Sequence, residues 1–230
     1  MPEDRFDRTL LLWPPEKLEI LRNKTVLVAG LGGVGSWAAE ALARAGVGRL
    51  ILVDCDVIAP SNLNRQLLAL QSTLGQAKSQ TARQRILDID PAIEVIGLQE
   101  RIERGQIDAL LDRAAPVDYL LDAIDCLDAK VALIAGSLAR DIPVLSAMGT
   151  GNRLDPTRLC LTDLSETSGD PMARRVRQLL KKEGIQSLKV VWSSEPPVRH
   201  GSRTVGSIPF VPPVAGFLMA WEAVRDLTSS

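Results

Sequence analysis

The sequence predicts an α/β protein with a Rossmann-like, doubly wound and mainly parallel sheet that has helices on both faces. Two observations favour this fold class. Short apolar runs alternate with longer segments of helical periodicity over residues 1–150, which is typical of a parallel sheet. The first run passes through a glycine-rich turn at 30–35 directly into a helical pattern. With 230 residues, of which 46% are hydrophobic, the chain can bury such a sheet in a full core.

The elements of the sheet follow in chain order. A first short helix is predicted at 16–22, because Pro15 suits the first turn of a helix. The predicted strands are apolar runs, and they cover 26–29, 49–54, 93–98, 117–125 and 143–148. The predicted helices carry apolar residues on one face, and they cover 36–45, 75–90, 106–115 and 127–140. We therefore treat residues 1–150 as the core of the protein.

The pattern changes after Gly149, Thr150 and Gly151. Residues 151–230 are predicted to form a C-terminal extension that packs on the core and extends the same domain. Its predicted parts are strands at 158–161 and 187–192, a basic helix at 171–183, a mobile Gly/Pro/Ser-rich loop through 195–207 and a closing helix at 217–227. The N-terminal segment around residues 5–8 is expected to be a polar, loosely packed arm.

Composition excludes several classes of protein. The charge is balanced, with 27 basic and 28 acidic residues, so the chain as a whole does not indicate nucleic-acid binding.

Cys55, Cys126 and Cys160 are far apart and form no Cys-x-x-Cys pair, which argues against a structural zinc site and against a disulfide framework. We expect structural or incidental roles for all three, with Cys55 and Cys160 buried in strands.

Targeting signals are not evident in the sequence. The N-terminus lacks the basic-then-apolar pattern of a signal peptide, and the apolar run at 210–221 is too short to cross a bilayer. We therefore expect a cytoplasmic enzyme with no membrane span.

The glycine turn predicts a nucleotide site. Gly30, Gly32 and Gly35 match the dinucleotide fingerprint, and the additional Gly33 gives a pattern that adenylating enzymes also use. The turn therefore indicates a nucleotide without saying which one. Asp54 ends the second strand 19 residues after Gly35, where a carboxylate hydrogen-bonds ribose hydroxyls, and Asp56 is a second candidate for the same role.

Two cations favour a triphosphate. The polar segment 62–66, which contains Asn62, Arg65 and Gln66, follows the second strand at the edge where ligands bind in an open α/β sheet. Arg65 can hold phosphate oxygens in a bidentate fork, and Lys78 adds a second cation near the start of the next helix. Since the glycine turn already serves two phosphates, the two cations together indicate a third. Taken singly, each is equally an exposed surface residue.

Asp122 and Asp125 end the fourth strand at the same edge of the sheet. Mg²⁺ commonly takes one or two carboxylates together with phosphate oxygens, so Asp125 is the predicted magnesium ligand and Asp122 a second carboxylate at the nucleotide. Asp125 is also placed to cap the following helix, and the two roles are compatible. A nicotinamide enzyme has no use for a carboxylate at this position.

The extension offers a candidate RNA contact. Arg174, Arg177 and Lys181 share one face of the basic helix, opposite its apolar stripe, and Arg199 and Arg203 follow later. An ordinary solvated helix face is the alternative interpretation. His200, the one histidine of the sequence, is either a general base or a surface residue.

These motifs, in this order, resemble the ThiF/MoeB/ubiquitin-activating superfamily. The segments 149–157, 162–164, 170–171 and 194–198 are similar to its tRNA threonylcarbamoyladenosine dehydratase branch. The resemblance implies ATP and Mg²⁺, adenylation of the threonyl carboxylate of N6-threonylcarbamoyladenosine in tRNA, and ring closure that expels AMP. Residues 1–150 would then be the ATP-binding adenylation core.

The resemblance also implies roles for single residues. It makes Arg65, Lys78 and Asp125 catalytic, with Asp54 at the ATP ribose. It further implies a homodimer, in which Arg8 of the N-terminal arm reaches the ATP of the other subunit, and a sulfur-transfer partner protein.

Other functions fit parts of the same pattern. The first alternative is adenylation of the C-terminus of a ubiquitin-like sulfur-carrier protein, although that class commonly has two Cys-x-x-Cys pairs, which this chain lacks. An NAD-dependent oxidoreductase is the second alternative. A nucleotide-binding scaffold without turnover is the third.

Overall fold

The computed structural model describes residues 4–202 and 204–229. Seven strands lie in this part of the chain: β1 Thr25–Ala29, β2 Arg49–Val53, β3 Glu94–Leu98, β4 Tyr119–Asp122, β5 Val144–Ala147, β6 Leu159–Asp163 and β7 Lys189–Ser193. The α-helices of the same part are α1 Pro15–Arg22, α2 Gly35–Ala45, α3 Lys78–Ile89, α4 Ile107–Ala114, α5 Leu127–Leu138, α6 Pro171–Lys182 and α7 Val211–Leu227.

The described strands form one sheet in the order β3-β2-β1-β4-β5-β7-β6. Each neighbouring pair is parallel except β6 with β7, which is antiparallel. The chain winds outward from β1 through β2 and β3, and then returns to continue from β4 on the other side. The strand order therefore reverses between β1 and β4, which confirms the predicted doubly wound, mainly parallel fold. In such a sheet the ligand crevice lies outside the carboxyl ends of the strands at this reversal.

Helices cover both faces of the sheet, as predicted. Val26 and Val28 of β1 pack into one core with α1, α2, α3 and α7, whereas Leu27 and Ala29 pack into a second core with α4, α5 and α6. The alternate side chains of β1 are thus buried on both sides, which is why the strand is apolar throughout. None of the helices described here is long and apolar enough to span a membrane.

The C-terminal residues continue the core sheet. β7 pairs with β5 and carries β6 at the edge, while α7 packs on α2. Helix α7 begins at Val211 rather than at 217, because Pro212 and Pro213 occupy the first turn, where a missing N–H removes no intrahelical hydrogen bond. A boundary at residue 150 stays a prediction.

Two expectations about packing are wrong. Phe6 is only 2% exposed, and the guanidinium groups of Arg5 and Arg22 lie 5.0 and 5.5 Å from the centre of its ring. The N-terminal arm is therefore anchored by a buried aromatic ring rather than loosely packed. Cys160 is exposed on the edge strand β6, and Cys55 lies beyond the end of β2 and is only half-buried. The expectation that both cysteines are buried in strands is therefore wrong.

Candidate active site

A cavity of about 1180 Å³ lies at the carboxyl ends of β2, β1, β4 and β5. Most of the residues predicted for the site line it, namely Gly30, Gly32, Gly33, Asp54, Asp56, Asn62, Arg65, Gln66, Lys78 and Asp125. Residues predicted from separate stretches of sequence thus surround one space. Gly35, Asp122 and Arg8 are not among the residues that line it.

Two glycines of the turn, Gly30 and Gly35, leave no room for a side chain. Gly30 has a φ of +85°, and a Cβ there would lie 2.7 Å from the carbonyl oxygen of Ala123. A Cβ on Gly35 would lie 1.8 Å from the carbonyl oxygen of Gly30, so this residue closes the turn and does not face a ligand. Gly32 has no such neighbour within 3.4 Å, which leaves its backbone open to the cavity. No side chain among the described residues caps α2, so the helix N-terminus can receive an anion, with the N–H of Ser36 already donating to the carbonyl oxygen of Gly32 at 3.2 Å.

Asp54 fastens this turn to the end of β2. Its carboxylate accepts hydrogen bonds from the backbone N–H of Leu31 at 2.6 Å and from that of Asp56 at 2.8 Å. A carboxylate has about four acceptor positions, so two remain for the hydroxyls of a ribose. Asp54 therefore has a structural role, and its contact with a ribose stays a prediction.

Lys78 is 5% exposed and lies at the start of α3, with its ammonium 2.8 Å from Asp56 Oδ2. The hydrogen bond from Lys78 holds the pKa of the Asp56 carboxyl below its usual value, against the effect of its partial burial. An ammonium has three donors, and within the described residues only this one contact of Lys78 Nζ is a hydrogen bond. The others remain for a phosphate in the cavity. Asp56 thus positions Lys78.

Arg65 lies across the glycine turn. Its Nη1 donates to the carbonyl oxygen of Ser61 at 2.9 Å and to Asn64 Oδ1 at 2.8 Å, and its Cγ would lie 3.3 Å from a Cβ on Gly33. The side chain is therefore held in place and leaves its other N–H groups to a ligand. A Cβ on Gly33 would also lie 3.0 Å from Pro212 Cβ, so Pro212 and Arg65 together explain the glycine at this position.

Two polar residues of the same segment, Asn62 and Gln66, are buried. Asn62 Oδ1 accepts from the N–H of Ala59 at 3.0 Å and closes a short 3₁₀ turn. Gln66 Oε1 is buried and has no hydrogen-bond partner among the described residues. Gln66 therefore retains an acceptor at the cavity.

Asp122 corrects the sequence-based interpretation. Its side chain is 0% exposed, and Oδ2 lies 2.6 Å from Lys130 Nζ and 2.5 Å from Ser146 Oγ. Its Oδ1 accepts from the N–H of Ile124. A buried carboxylate held by a lysine, a hydroxyl and a backbone N–H cannot reach a nucleotide or a metal ion. Asp122 instead positions the loop that leads to Asp125.

Asp125 is exposed at the cavity, and α5 begins after Cys126 without a side-chain cap from the described residues. The predicted capping role of Asp125 is therefore wrong. A carboxylate free to face phosphates fits Mg²⁺, which takes one or two carboxylates plus phosphate oxygens.

Asp54, Cys55 and Asp56 have ligand atoms within 4.8 Å of one another. They fit Mg²⁺ less well, because a thiol is a soft ligand and both carboxylates already accept hydrogen bonds.

Two residues on the far side of the cavity, Arg153 and Asp170, were not predicted as site residues from the sequence. Arg153, 2% exposed, has Nη2 3.8 Å from Asp170 Oδ2. Burial lowers the pKa of Arg153, and the charges of Asp170 and Glu195 act in the opposite direction. Asp170 caps α6 by accepting from the N–H groups of Met172 and Ala173. The Asp-Pro pair that starts α6 is the sequence signal for this cap, but nothing in the sequence places Arg153 beside it.

The basic helix divides into two kinds of residue. Arg174 and Lys181 are exposed. Arg177 is half-buried, and its Nη1 donates to the carbonyl oxygens of Leu164 and Thr167 and to Thr167 Oγ1 at 2.7–2.9 Å. Arg177 therefore supports the segment before α6, and its RNA contact stays a prediction. Arg203 lies outside the described residues.

Comparison with known proteins identifies the family of this chain. The model of the ThiF family matches residues 6–230. The tRNA threonylcarbamoyladenosine dehydratase of Bacillus subtilis is 43% identical over an alignment of 241 residues, gaps included. The alignment covers 97% of this chain and 94% of that protein. The molybdopterin-synthase adenylyltransferase of Escherichia coli is 32% identical over 183 residues, covering 79% of this chain and 70% of that protein.

A solved structure agrees with the fold throughout. The crystal structure of E. coli tRNA N6-threonylcarbamoyladenosine dehydratase in complex with ATP superimposes with a TM-score of 0.92 at 33% identity, covering 98% of this chain and 94% of that one. The resemblance inferred from the motifs is thereby confirmed: this chain belongs to the ThiF family.

Proposed function

We propose that the protein is an ATP-dependent tRNA N6-threonylcarbamoyladenosine dehydratase that acts through a carboxyl-adenylate. The observation that carries this proposal is the cavity, which joins a glycine turn, two cations and a free carboxylate to a second wall around Arg153. The first wall suits a triphosphate, and the second leaves room for another substrate. The similarity to the B. subtilis dehydratase over almost the whole of both chains supports the choice of that substrate.

In this proposal, different residues contact different parts of ATP. Asp54 binds the ribose, and the open N-terminus of α2 with the backbone at Gly32 receives phosphate oxygens. Arg65 and Lys78 neutralise the charge that develops as pyrophosphate leaves. Asp125 would hold Mg²⁺, which supplies positive charge at the phosphate oxygens.

The proposed reaction has two steps. An oxygen of the threonyl carboxylate attacks the α-phosphorus of ATP, and the bond from that phosphorus to the bridging oxygen of the β-phosphate breaks. The ureido group of the same side chain then attacks the activated acyl carbon, loses a proton and expels AMP. AMP carries away one carboxylate oxygen, so the nucleoside loses one water. Both reacting groups are on one side chain, which favours ring closure without an enzyme thiol.

The tRNA would approach across α6. Arg174 and Lys181 are exposed cations on this helix, and the capping residue of the helix, Asp170, lines the cavity. We expect them to contact phosphates of a substrate whose modified base enters the site. A tRNA substrate also implies the cytoplasm as the place of action.

A homodimer is part of the proposal. Phe217 and Trp221 lie one turn apart on α7 and are 46% and 54% exposed, which favours a covered apolar surface. Arg8 is exposed and does not line the cavity of its own chain within the described residues, as expected for a residue that reaches the partner's ATP. A sulfur-transfer partner protein stays a prediction.

The deciding experiment uses tRNA that carries threonylcarbamoyladenosine. The protein is incubated with this tRNA, ATP and Mg²⁺, the tRNA is digested, and the nucleosides are weighed. We expect threonylcarbamoyladenosine to lose the mass of one water, with AMP and pyrophosphate formed in equal amounts. An unchanged nucleoside under conditions where ATP binds would contradict the proposal.

Adenylation of a sulfur-carrier protein is the second candidate. The similarity to the E. coli molybdopterin-synthase adenylyltransferase favours it. It predicts that a small protein ending in Gly-Gly stimulates exchange of pyrophosphate into ATP and that tRNA does not. An NAD-dependent oxidoreductase would instead bind NAD without a requirement for Mg²⁺.

A further inference from the structure

Arg153 is a buried cation with unused donors. Its Nε and Nη1 have no hydrogen-bond partner among the described residues. Its Nη2 lies 3.8 Å from Asp170 Oδ2, which is beyond hydrogen-bond length. Buried arginines normally bind carboxylates or phosphates through two parallel hydrogen bonds. The guanidinium of Arg153 thus retains the donors for such a group.

The nearest carboxylate is already engaged elsewhere. Asp170 Oδ1 accepts from the N–H groups of Met172 and Ala173, and Oδ2 accepts from the N–H of Gly149 at 3.0 Å. Asp170 therefore compensates the charge of Arg153 at a distance without satisfying its donors. A buried polar group left in this way needs an explanation, and a role in binding an anionic ligand supplies one.

The backbone that carries Arg153 is held firmly. Glu195 accepts from the N–H groups of Leu154 and Asp155 at 2.9 and 3.0 Å. Asn152 donates its backbone N–H to the carbonyl oxygen of Gly206 at 2.7 Å. Both neighbours of Arg153 are thus tied to later segments, so the position of the residue is set by the fold.

The sheet order places Arg153 opposite the ribose site. It follows β5, whereas Asp54 follows β2, and the strands β2, β1, β4 and β5 are adjacent. Neighbouring strands are about 4.8 Å apart, so these two ends of the cavity are separated by roughly 14 Å. The nucleotide residues lie at β2 and β1, with Asp125 at β4. A second substrate that reaches the α-phosphate has the β5 side left to it, and Arg153 lies there.

We propose that Arg153 binds the carboxylate of the substrate and holds it for attack on the α-phosphate of ATP. This inference rests on the proposed function, which provides a carboxylate as the group to be adenylated. The planar guanidinium matches a carboxylate in geometry, and the engaged Asp170 does not compete for its donors. A phosphate of ATP is the other anion with the same chemistry, and the test separates the two.

The test measures equilibrium binding of tRNA with and without the threonylcarbamoyl group, in the presence of a non-hydrolysable ATP analogue. We expect the wild type to prefer the modified tRNA. Arg153→Gln is expected to lower that preference by about 10-fold or more, because a hydrogen bond to a charged group is lost. Its affinity for the ATP analogue should stay within about two-fold of the wild type, since the residue lies away from the glycine turn. Arg153→Lys should retain part of the preference, because it keeps the charge without the fork.

Two outcomes with Arg153→Gln would overturn the inference. One is a retained preference for modified tRNA. The other is an equal loss of affinity for the ATP analogue, which would assign the anion to a phosphate. If the variant does not fold, the wild type is tested with a tRNA whose threonyl carboxylate has been converted to a methylamide. Equal binding of the amide and the carboxylate would contradict the role of Arg153.

Failure of the proposed function is distinguishable in the same experiment. A wild type that neither dehydrates the modified tRNA nor prefers it over the unmodified one overturns both ideas. A wild type that does both, with Arg153→Gln unchanged in its preference, overturns the role of Arg153 alone.

Discussion

The carboxylate of Asp54 accepts the backbone N–H of Leu31 at 2.6 Å, which ties the end of β2 to the glycine turn after β1. The residue expected to bind the ribose therefore also shapes the phosphate site. One side chain thus couples the two parts of a nucleotide site, and its loss affects both.

We expect Asp54→Ala to raise the Kd for ATP by about 10- to 100-fold, because hydrogen bonds to charged groups contribute about 1.5–3 kcal/mol. Isothermal titration calorimetry with ATP measures this. Asp118→Ala is the matched control, since Asp118 also accepts a backbone N–H, from Thr25, but lies at the amino ends of β1 and β4, away from the cavity. An Asp54 variant that binds ATP as well as the Asp118 variant would contradict the assignment.

The ion pair between Asp56 and Lys78 predicts a dependence of stability on pH. The pKa of Asp56 is lowered in the folded protein from 3.8, chiefly by the hydrogen bond from Lys78, so the pair stabilises the fold fully above pH 3.8. The stabilisation is lost as the pH falls from there through the lowered pKa. Urea unfolding of the wild type and of Asp56→Asn should therefore differ at neutral pH and converge in acid. A constant difference between the two proteins at all pH values would contradict this.

The buried ion pair of Asp122 and Lys130 predicts a large loss of stability when only one of the two partners is removed. Lys130→Met should lower the free energy of unfolding by about 3–5 kcal/mol, because it leaves an unpaired buried carboxylate. Adding Asp122→Asn to that variant should recover part of the loss, since the remaining group is neutral. Urea unfolding of the two variants measures the difference. If the double variant is no more stable than Lys130→Met, the carboxylate is not the source of the loss.

The contrast between Asp122 and Asp54 shows how much of this site could be predicted from sequence. The glycine turn, Asp54 and Lys78 depend on spacing along neighbouring strands and helices, and a doubly wound sheet brings such positions to one edge. Asp122 satisfies the same rule, but its role depends on Lys130, a residue in the helix that follows. The pairing of Arg153 with Asp170 likewise depends on tertiary contact between segments that no local pattern relates. The order of the strands could be predicted from the sequence, and the partners of the buried charged residues could not.

Asp125 and its neighbour Cys126 provide a test of the chemistry. We expect Asp125→Ala to lower turnover by about 100-fold or more, because it removes the proposed Mg²⁺ ligand. Cys126→Ala should retain activity within about two-fold, since the proposed cyclisation needs no thiol. Single-turnover formation of AMP measures both variants. An inactive Cys126 variant with normal folding would favour a thioester mechanism instead.

The basic helix allows RNA contact and structural support to be separated. Charge reversal at Arg174 and Lys181 should weaken tRNA binding and reduce the slope of log affinity against log salt concentration by about one per lost phosphate contact. Arg177→Ala should leave that slope unchanged and lower the melting temperature, because Arg177 donates to the carbonyl oxygens of Leu164 and Thr167. Filter binding over a range of salt concentrations, together with thermal unfolding, distinguishes the two effects. If the Arg177 variant changes the salt slope while the Arg174 and Lys181 variants do not, the tRNA does not contact the exposed face of α6.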